Sequence, residues 1–309
     1  MNYKKLWRIG LVPVVVMTLF MGACSAVGAS DVEAESETTE GVLDAEEMFT
    51  YRDKEVGYDS DSAVNITLEG STASSDGSGV NIDGGTITIS AEGTYIFSGS
   101  LSTGQIVVDT NEEKVQIVLD NVSITSPSSA AIYVKNAGKV FITLADGSEN
   151  TLATDGEYIA IDENNIDGVI FSKTDMAMNG TGSLSITSAY GNGIVCKDDL
   201  KITSGTYYIE AAGHGIDVND SVRIADGTFV ISASTDGIHA ANKEEDKEGY
   251  IYISKGSFEI TAGSDGMDAT YVIQIEGGTF EINAKGGSVY GADSLKADED
   301  VIITGGTFN

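Results

Sequence analysis

Two stretches, GTFVISASTDGIH at residues 227–239 and GSFEITAGSDGMD at residues 256–268, repeat one pattern 29 residues apart. Each begins with glycine, continues as an alternating run of β-branched and aromatic residues, and ends in an acidic residue, glycine and an apolar residue. Alternation with a period of two is typical of a β-strand with one buried face, and Gly and Asp commonly bound such strands. The two stretches therefore predict a repeating β unit.

The glycine that opens each stretch recurs through the second half of the chain, most often 22 or 23 residues apart. Its positions are Gly182, Gly205, Gly227, Gly256, Gly278 and Gly306. A unit of about 22 residues holds three short strands, which is the size of one coil of a parallel β-helix. Helix signals are nearly absent after residue 62. We therefore predict an all-β fold, a single-stranded parallel β-helix (solenoid) with about 22 residues and three short strands per coil.

Stacked coils would place equivalent side chains in columns. The second residue after each opening glycine is Leu184, Tyr207, Phe229, Phe258, Phe280 or Phe308, and two residues further on stands Ile186, Ile209, Ile231, Ile260 or Ile282. The two columns share one parity, so both are expected to face the core rather than to form a sugar-stacking platform. Cys196 falls in another inward column and is predicted to be a packed thiol.

Charge and the N-terminus predict an exported protein. The chain has 17 basic and 48 acidic residues, which excludes binding to a nucleic-acid backbone. Lys4, Lys5 and Arg8 precede an apolar run at 9–20, as in a bacterial secretory signal, and MGAC at 21–24 resembles a lipobox. We therefore predict a lipoprotein signal peptide at 1–23 and a lipid anchor at Cys24 on the cell surface, with an ordinary cleaved signal as the alternative.

The remaining chain divides into two parts. Residues 24–61 are rich in Asp, Glu, Ser and Thr and are predicted to form an acidic disordered tether. Residues 62–309 are predicted to form the β-helix, as a monomer. Its last coil stops at VIITGGTFN without the acid-Gly-apolar motif that follows in earlier coils, which predicts a domain incomplete at the C-terminus.

One turn position carries a recurring acid. Asn192, His214, Asp236, Asp265 and Asp293 align there, and neighbouring carboxylates about 4.8 Å apart would repel by about 3 kcal/mol. Oxygen-rich turns of this kind suit Ca²⁺. The candidate ligands are Asp236, Asp265, Asp293, Asp217, Asp268, Asn192 and Asn242. The alternative is a solvated acidic turn; zinc is less favoured because the two histidines, His214 and His239, fall in different columns without a cysteine beside them.

A second column is expected on the outside of the first strand of each coil. Lys201, Arg223, Tyr252 and Gln274 align there along the solenoid axis. Stacking, hydrogen bonding and positive charge are the means by which a linear polysaccharide, above all a polyuronate, would be held. The strip is therefore a candidate glycan-binding surface, and ordinary sheet-surface residues are the alternative.

Residues 93–152, from GTYIFSGSL to SENTL, together with the DGIHA and GGTF coils, closely resemble a bacterial carbohydrate-binding domain family. The resemblance covers most of residues 79–309. It implies a right-handed parallel β-helix like that of pectate lyases, bound calcium with Asp236 and Asp265 as ligands, and binding to cellulose and pectin.

Three functions remain open. The first is a non-catalytic carbohydrate-binding protein that recognises plant cell-wall polysaccharide. The second is a calcium-dependent polysaccharide lyase, in which Lys296 would act as the base beside the acidic column. The third is a structural surface spacer or adhesin without glycan affinity.

Overall fold

The computed structural model describes residues 43–286 and 291–309. The predicted signal peptide, Cys24 and the first part of the predicted tether lie outside these residues. None of the described helices is long and apolar enough to cross a membrane.

Two short helical turns precede the strands, a 3₁₀ turn at Ala45–Glu47 and the helix α1 at Tyr51–Lys54. The first ten strands are β1 (Val64–Gly70), β2 (Ala73–Ser75), β3 (Val80–Asp83), β4 (Thr86–Ile89), β5 (Gly93–Leu101), β6 (Gln105–Asp109), β7 (Lys114–Ser126), β8 (Ile132–Asn136), β9 (Lys139–Leu144) and β10 (Glu149–Thr154). The next nine are β11 (Gly168–Ser172), β12 (Met176–Gly180), β13 (Ser183–Ser188), β14 (Asn192–Cys196), β15 (Asp199–Ile202), β16 (Thr206–Ala211), β17 (Ile216–Val218), β18 (Ser221–Ile224) and β19 (Thr228–Ala233). The last nine are β20 (Ile238–Ala240), β21 (Tyr250–Ile253), β22 (Ser257–Ala262), β23 (Met267–Ala269), β24 (Val272–Ile275), β25 (Thr279–Ala284), β26 (Leu295–Ala297), β27 (Asp300–Ile303) and β28 (Thr307–Phe308).

From β8 onward the strands stack in three parallel columns. The first column is β9, β12, β15, β18, β21, β24 and β27; the second is β10, β13, β16, β19, β22, β25 and β28; the third is β8, β11, β14, β17, β20, β23 and β26. Each strand pairs in parallel with its counterpart one coil away. The predicted all-β parallel β-helix with three strands per coil is confirmed.

The first coils are less regular. β1 pairs antiparallel with β2, and β3 pairs antiparallel with β4, while β1 also pairs in parallel with β5. β7 is 13 residues long because it runs through the corner between two columns. Asn121, with φ 59, makes that corner. The part of β7 before Asn121 pairs with β9, and the part after Asn121 pairs with β10.

The predicted inward columns form the core. The rings of Tyr207, Phe229, Phe258, Phe280 and Phe308 stack along the axis with successive centroid distances of 5.2, 4.9, 4.8 and 4.6 Å. Cys196 is fully buried and aligns with Val218 and Ala240, so the prediction of a packed thiol is confirmed. Burial raises the pKa of the Cys196 thiol far above its usual value.

The opening glycines are needed by the backbone. Gly227 and Gly256 have φ values of 141 and 136, a region that L side chains rarely adopt. A Cβ at Gly227 would lie 2.9 Å from the Phe229 ring, and one at Gly256 would lie 3.0 Å from the carbonyl oxygen of Gly227. The glycine therefore lets the chain enter the aromatic strand without displacing the ring stack.

Candidate functional site

The predicted outward column is present in the structure, and it is longer than the sequence indicated. Lys201, Arg223, Tyr252 and Gln274 are in register on β15, β18, β21 and β24. Through Ala177 the same column continues to Phe141 on β9 and Gln116 on β7. We call the column formed by Gln116, Phe141, Ala177, Lys201, Arg223, Tyr252 and Gln274 the axial strip. The sequence missed its first members because the early coils have irregular lengths.

The axial strip is covered by the protein's own N-terminal segment, residues 43–55, which we call the strap. At one end Leu43 donates its backbone N–H to Gln274 Oε1 at 2.7 Å and accepts from Gln274 Nε2 at 3.1 Å. In the middle, Met48 and Phe49 pack on Tyr252, with the Phe49 and Tyr252 ring centroids 6.1 Å apart. The strap therefore runs along the solenoid axis.

At the other end, the strap contacts the strands β7 and β9. Arg52 Nη2 donates to Gln116 Oε1 at 3.0 Å, and its guanidinium lies 4.3 Å above the Phe141 ring centroid. Between β24 and β7 the strap crosses six strand spacings, which is roughly 29 Å. The strap therefore joins coils that are far apart in sequence.

Asp53 fixes the strap to the sheet. Its carboxylate is fully buried and lies 2.7 Å from Lys139 Nζ and 3.9 Å from Lys201 Nζ. Thr50 and Asp53 form a reciprocal capping box at the start of α1. The carbonyl oxygen of Asp53 accepts from Thr203 Oγ1 at 2.9 Å and from Asn179 Nδ2 at 3.2 Å. The buried carboxylate thus has partners from three parts of the chain, Thr50, Lys139 and Lys201.

The electrostatics explain why an anion belongs there. Burial lowers the pKa of Lys201, and the neighbouring charges of Arg223 and Lys139 lower it further. Burial would raise the pKa of Asp53, but the contacts with Lys139 and Thr50 outweigh it and lower the pKa overall. Three cations crowded on one sheet face repel one another, and the carboxylates of Asp53 and Asp199 offset that repulsion.

The axial strip therefore differs from the prediction in its exposure to solvent. Lys201 is 7% exposed, Tyr252 1% and Gln274 3%, because the strap covers them. The disordered tether predicted to reach residue 61 differs as well, since residues 43–55 are docked on the sheet. A capping box and four hydrophobic side chains are too little periodic signal to show in the sequence. Their partners lie between about 60 and 230 residues away, as with Arg52 and Gln116 or Leu43 and Gln274.

The recurring acid position has a structural role. Asp236 Oδ1 accepts the backbone N–H of Asp265 at 2.7 Å, and Asp265 Oδ1 accepts that of Asp293 at 2.8 Å. Asn192 Oδ1 does the same for His214 at 2.8 Å. Each of these side chains therefore accepts a hydrogen bond from a backbone N–H in the turn of the next coil. An amide oxygen serves as well as a carboxylate oxygen because only an acceptor is required.

The second carboxylate oxygens of Asp236 and Asp265 face basic side chains of the chain itself. Lys296 Nζ lies 3.2 Å from Asp265 Oδ2 and 2.8 Å from Asp268 Oδ2. His214 Nδ1 lies 3.1 Å from Asp236 Oδ2, and His239 Nδ1 lies 2.8 Å from Asp217 Oδ1. Lys296 therefore offsets part of the repulsion that led us to predict a bound cation.

Two groups of side chains in the described part of the chain have metal-ligand spacing. They are His214, Asp217 and His239, and Asp236, His239 and Asp268, with ligand atoms within 4.8 Å of one another in each group. Both contain an imidazole, whereas Ca²⁺ prefers six to eight oxygens, so the donor set does not fit calcium. The rings of His214 and His239, which lie in different columns as predicted, stack nearly parallel at 4.6 Å. Bound calcium stays a prediction.

Asn242 is not brought to either group. Its Nδ2 donates to Asp220 Oδ1 at 2.7 Å, and its Oδ1 accepts the backbone N–H groups of Glu244 and Glu245 at 2.9 and 3.1 Å. The side chain therefore orders the charged 243–249 insertion. Nothing in its contacts supports its prediction as a metal ligand.

A separate cleft of about 400 Å³ lies beside the third column. Tyr158, Tyr190, Asn164 and Asn165 line it, and Tyr190 is 57% exposed. An exposed aromatic ring with amide groups is suited to sugar contact. The sequence did not single out this cleft, because its residues come from two irregular loops.

His239 and Asp236 make stability depend on pH. Burial lowers the pKa of His239, but the hydrogen bond and charge of Asp217 outweigh it and raise the pKa above its usual 6.5. The stabilisation is full below pH 6.5 and is lost as pH rises through the raised value. Burial would raise the pKa of Asp236, but His214 and the N–H of Asp265 lower it to about 2. That contribution, about 2 kcal/mol, is lost as pH falls from about 4 to 2.

We therefore expect the melting temperature to decline on both sides of a plateau. The alkaline decline should be reduced in His239→Gln, and the acid decline should be reduced in Asp236→Asn, in thermal melts from pH 2 to 9. Superimposable profiles for wild type and His239→Gln would contradict the role of the His239 and Asp217 pair.

The chain is similar to known proteins in sequence and in fold. A family model described as "Carbohydrate-binding domain-containing protein" matches residues 83–309. A relative with the same description from Acetivibrio thermocellus is 39% identical over 137 residues, which are 43% of this chain. The match spans 48% of that relative, about half its length.

Among solved structures, the polysaccharide lyase-like protein from C. thermocellum, determined as a gadolinium derivative, superimposes with a TM-score of 0.74 at 33% identity. The match covers 79% of this chain and 99% of that chain. Its extent agrees with a shared β-helix. On the evidence of the family model, which matches well over half of its length, the chain belongs to the family of carbohydrate-binding domain-containing proteins.

Proposed function

We propose that this protein is exported, lipid-anchored at Cys24, and binds plant cell-wall-type polysaccharide such as polygalacturonate or cellulose without cleaving it. The observation that carries the proposal is the axial strip, which a glycan would reach once the strap that covers it is displaced. Amide, aromatic and cationic side chains follow one another there at the spacing of adjacent strands, a repeat close to the length of one pyranose unit. The N-terminal sequence pattern supports export and anchoring.

The state of the bases beside the acidic position supports binding over cleavage. A lyase would need a neutral side chain to take the proton next to the uronate carboxylate. Hydrogen bonds to Asp268 and Asp265 raise the pKa of Lys296 well above its usual value, so it stays protonated at neutral pH. Arg223 Nη2 donates to both carboxylate oxygens of Asp199, at 2.9 and 2.8 Å, so its guanidinium already has an anionic partner.

The test is retention of the full chain on polygalacturonate and on cellulose, in calcium and in chelator, with ultraviolet absorbance recorded for unsaturated products. We expect retention on at least one polymer without new absorbance, and no change in either reading for Lys296→Ala. Product formation that is lost in Lys296→Ala would establish the lyase suggested by the neighbouring structure. A folded protein retained on neither polymer would favour the surface spacer.

A further inference from the structure

The contact between Asp53 and the sheet has the chemistry of a ligand site. A carboxylate enters the surface between two lysines, at 2.7 Å from Lys139 Nζ and 3.9 Å from Lys201 Nζ, and is sealed from solvent. Arg223 already has Asp199 as its partner, at 2.8 Å. Lys139 has no second carboxylate partner among the described ion pairs, so it depends on Asp53 for its counter-charge.

The strap also imitates the course of a linear polymer. It follows the axis across β24, β21, β15, β9 and β7, with an aromatic ring on Tyr252 and a planar guanidinium on Phe141. Planar groups stack on aromatic faces, as the faces of sugar rings do. A chain of uronate units offers both features of the strap, apolar ring faces and a carboxylate in every unit.

We propose that Lys139 and Lys201 form a carboxylate subsite for a uronate unit of an acidic polysaccharide, and that Asp53 of the strap fills this subsite until the polysaccharide displaces it. The inference rests on the proposed function, because it assigns the location and the acidic class of the glycan. A neutral glucan lacks the carboxylate and gains nothing from these lysines. The strap therefore selects for polyuronates as well as covering the strip.

The decisive variant is Asp53→Asn, which keeps the shape of the side chain and removes its charge. We expect the full chain carrying it to bind polygalacturonate about tenfold more tightly than wild type, as when the strap leaves the strip free in about a tenth of molecules. Phe49→Ala, which loosens the strap but keeps the carboxylate, should shift the affinity in the same direction. Adding Lys201→Ala to Asp53→Asn should abolish the gain.

A matched control separates this effect from general charge. Asp226 forms an exposed ion pair with Lys255 at 2.7 Å, away from the strip. Asp226→Asn changes the net charge as Asp53→Asn does, and we expect it to leave the polygalacturonate affinity unchanged. A gain equal to that of Asp53→Asn would show a non-specific effect and overturn the subsite.

Release of the strap has its own readout. Arg52 and Lys54 are trypsin sites, and docking protects the peptide bonds beside them, since the Asp53 carbonyl is bonded to Thr203 and Asn179. We expect polygalacturonate to accelerate cleavage of the wild type at the strap, cellulose to leave it unchanged, and Asp53→Asn to be cleaved rapidly without ligand.

The outcomes are distinguishable. Rapid cleavage of Asp53→Asn with unchanged polygalacturonate affinity would overturn the subsite and leave the proposed function intact. Loss of binding in Tyr190→Ala, with no response to strap variants, would place the glycan in the Tyr190 cleft and overturn the subsite. Failure of every variant and of the wild type to bind any polymer would overturn the proposed function itself.

Discussion

Replacing Phe258 by alanine is expected to lower the free energy of unfolding by about 3–5 kcal/mol. Phe258 is buried inside the ring stack, with centroids 4.9 Å from Phe229 and 4.8 Å from Phe280. Backbone hydrogen bonds fix the spacing between neighbouring coils. The coils therefore cannot close over the space left by the ring, and the full cavity remains. Denaturant unfolding of the purified chain measures the loss.

Phe308 is the matched control, because it belongs to the same column but is 40% exposed. Its ring stacks on Phe280 at 4.6 Å. We expect Phe308→Ala to cost about 1 kcal/mol or less. Equal losses at the two positions would show that the column does not act as a close-packed core.

Replacing Asp236 by alanine is expected to destabilise the protein by about 3 kcal/mol, equally in calcium and in chelator. The change removes the acceptor for the buried N–H of Asp265, which is bonded at 2.7 Å, and the partner of His214 at 3.1 Å. As a calcium ligand, Asp236 would instead be needed only when calcium is bound. Thermal and chemical unfolding in both conditions separate the two roles.

Asp236→Asn is the matched control for that prediction. An amide oxygen accepts the next turn's N–H at Asn192, so the asparagine variant should retain most of the stability and lose mainly the charge interaction with His214. A loss confined to calcium-containing samples, for both variants, would show that Asp236 is a metal ligand after all.

The strap connects the N-terminal segment to the candidate glycan-binding surface. Residues 43–55 follow the predicted membrane anchor and the first part of the tether, and they end on the axial strip. If displacement by glycan and the proposed anchor at Cys24 are both confirmed, the same event would bind the polymer and lengthen the connection between the anchor and the β-helix. Recognition and reach would then be coupled through the Asp53 contact.

The recurring acids show which feature of the turns the sequence pattern left undecided. Aligned acids such as Asp236 and Asp265 were visible in the sequence, and their repulsion was a sound reason to expect a counter-ion. Which group supplies the opposing charge depends on side-chain direction, and the structure shows Lys296 reaching back to Asp265 from the next coil. His214 and His239, assigned to different columns by their spacing, meet face to face because the columns are neighbours across the turn.

The coil, its three strands and its inward columns could be predicted from the residue pattern alone, because a repeat of about 22 residues with strict alternation permits one stacking in which Phe229, Phe258 and Phe280 are all buried. The outward column from Lys201 to Gln274 followed from the same register. Whether that column faces solvent depends on contacts between distant parts of the folded chain. Asp53 and Lys139 are 86 residues apart and carry no shared period, so their ion pair is set by the packing of a short non-repetitive segment against the finished sheet.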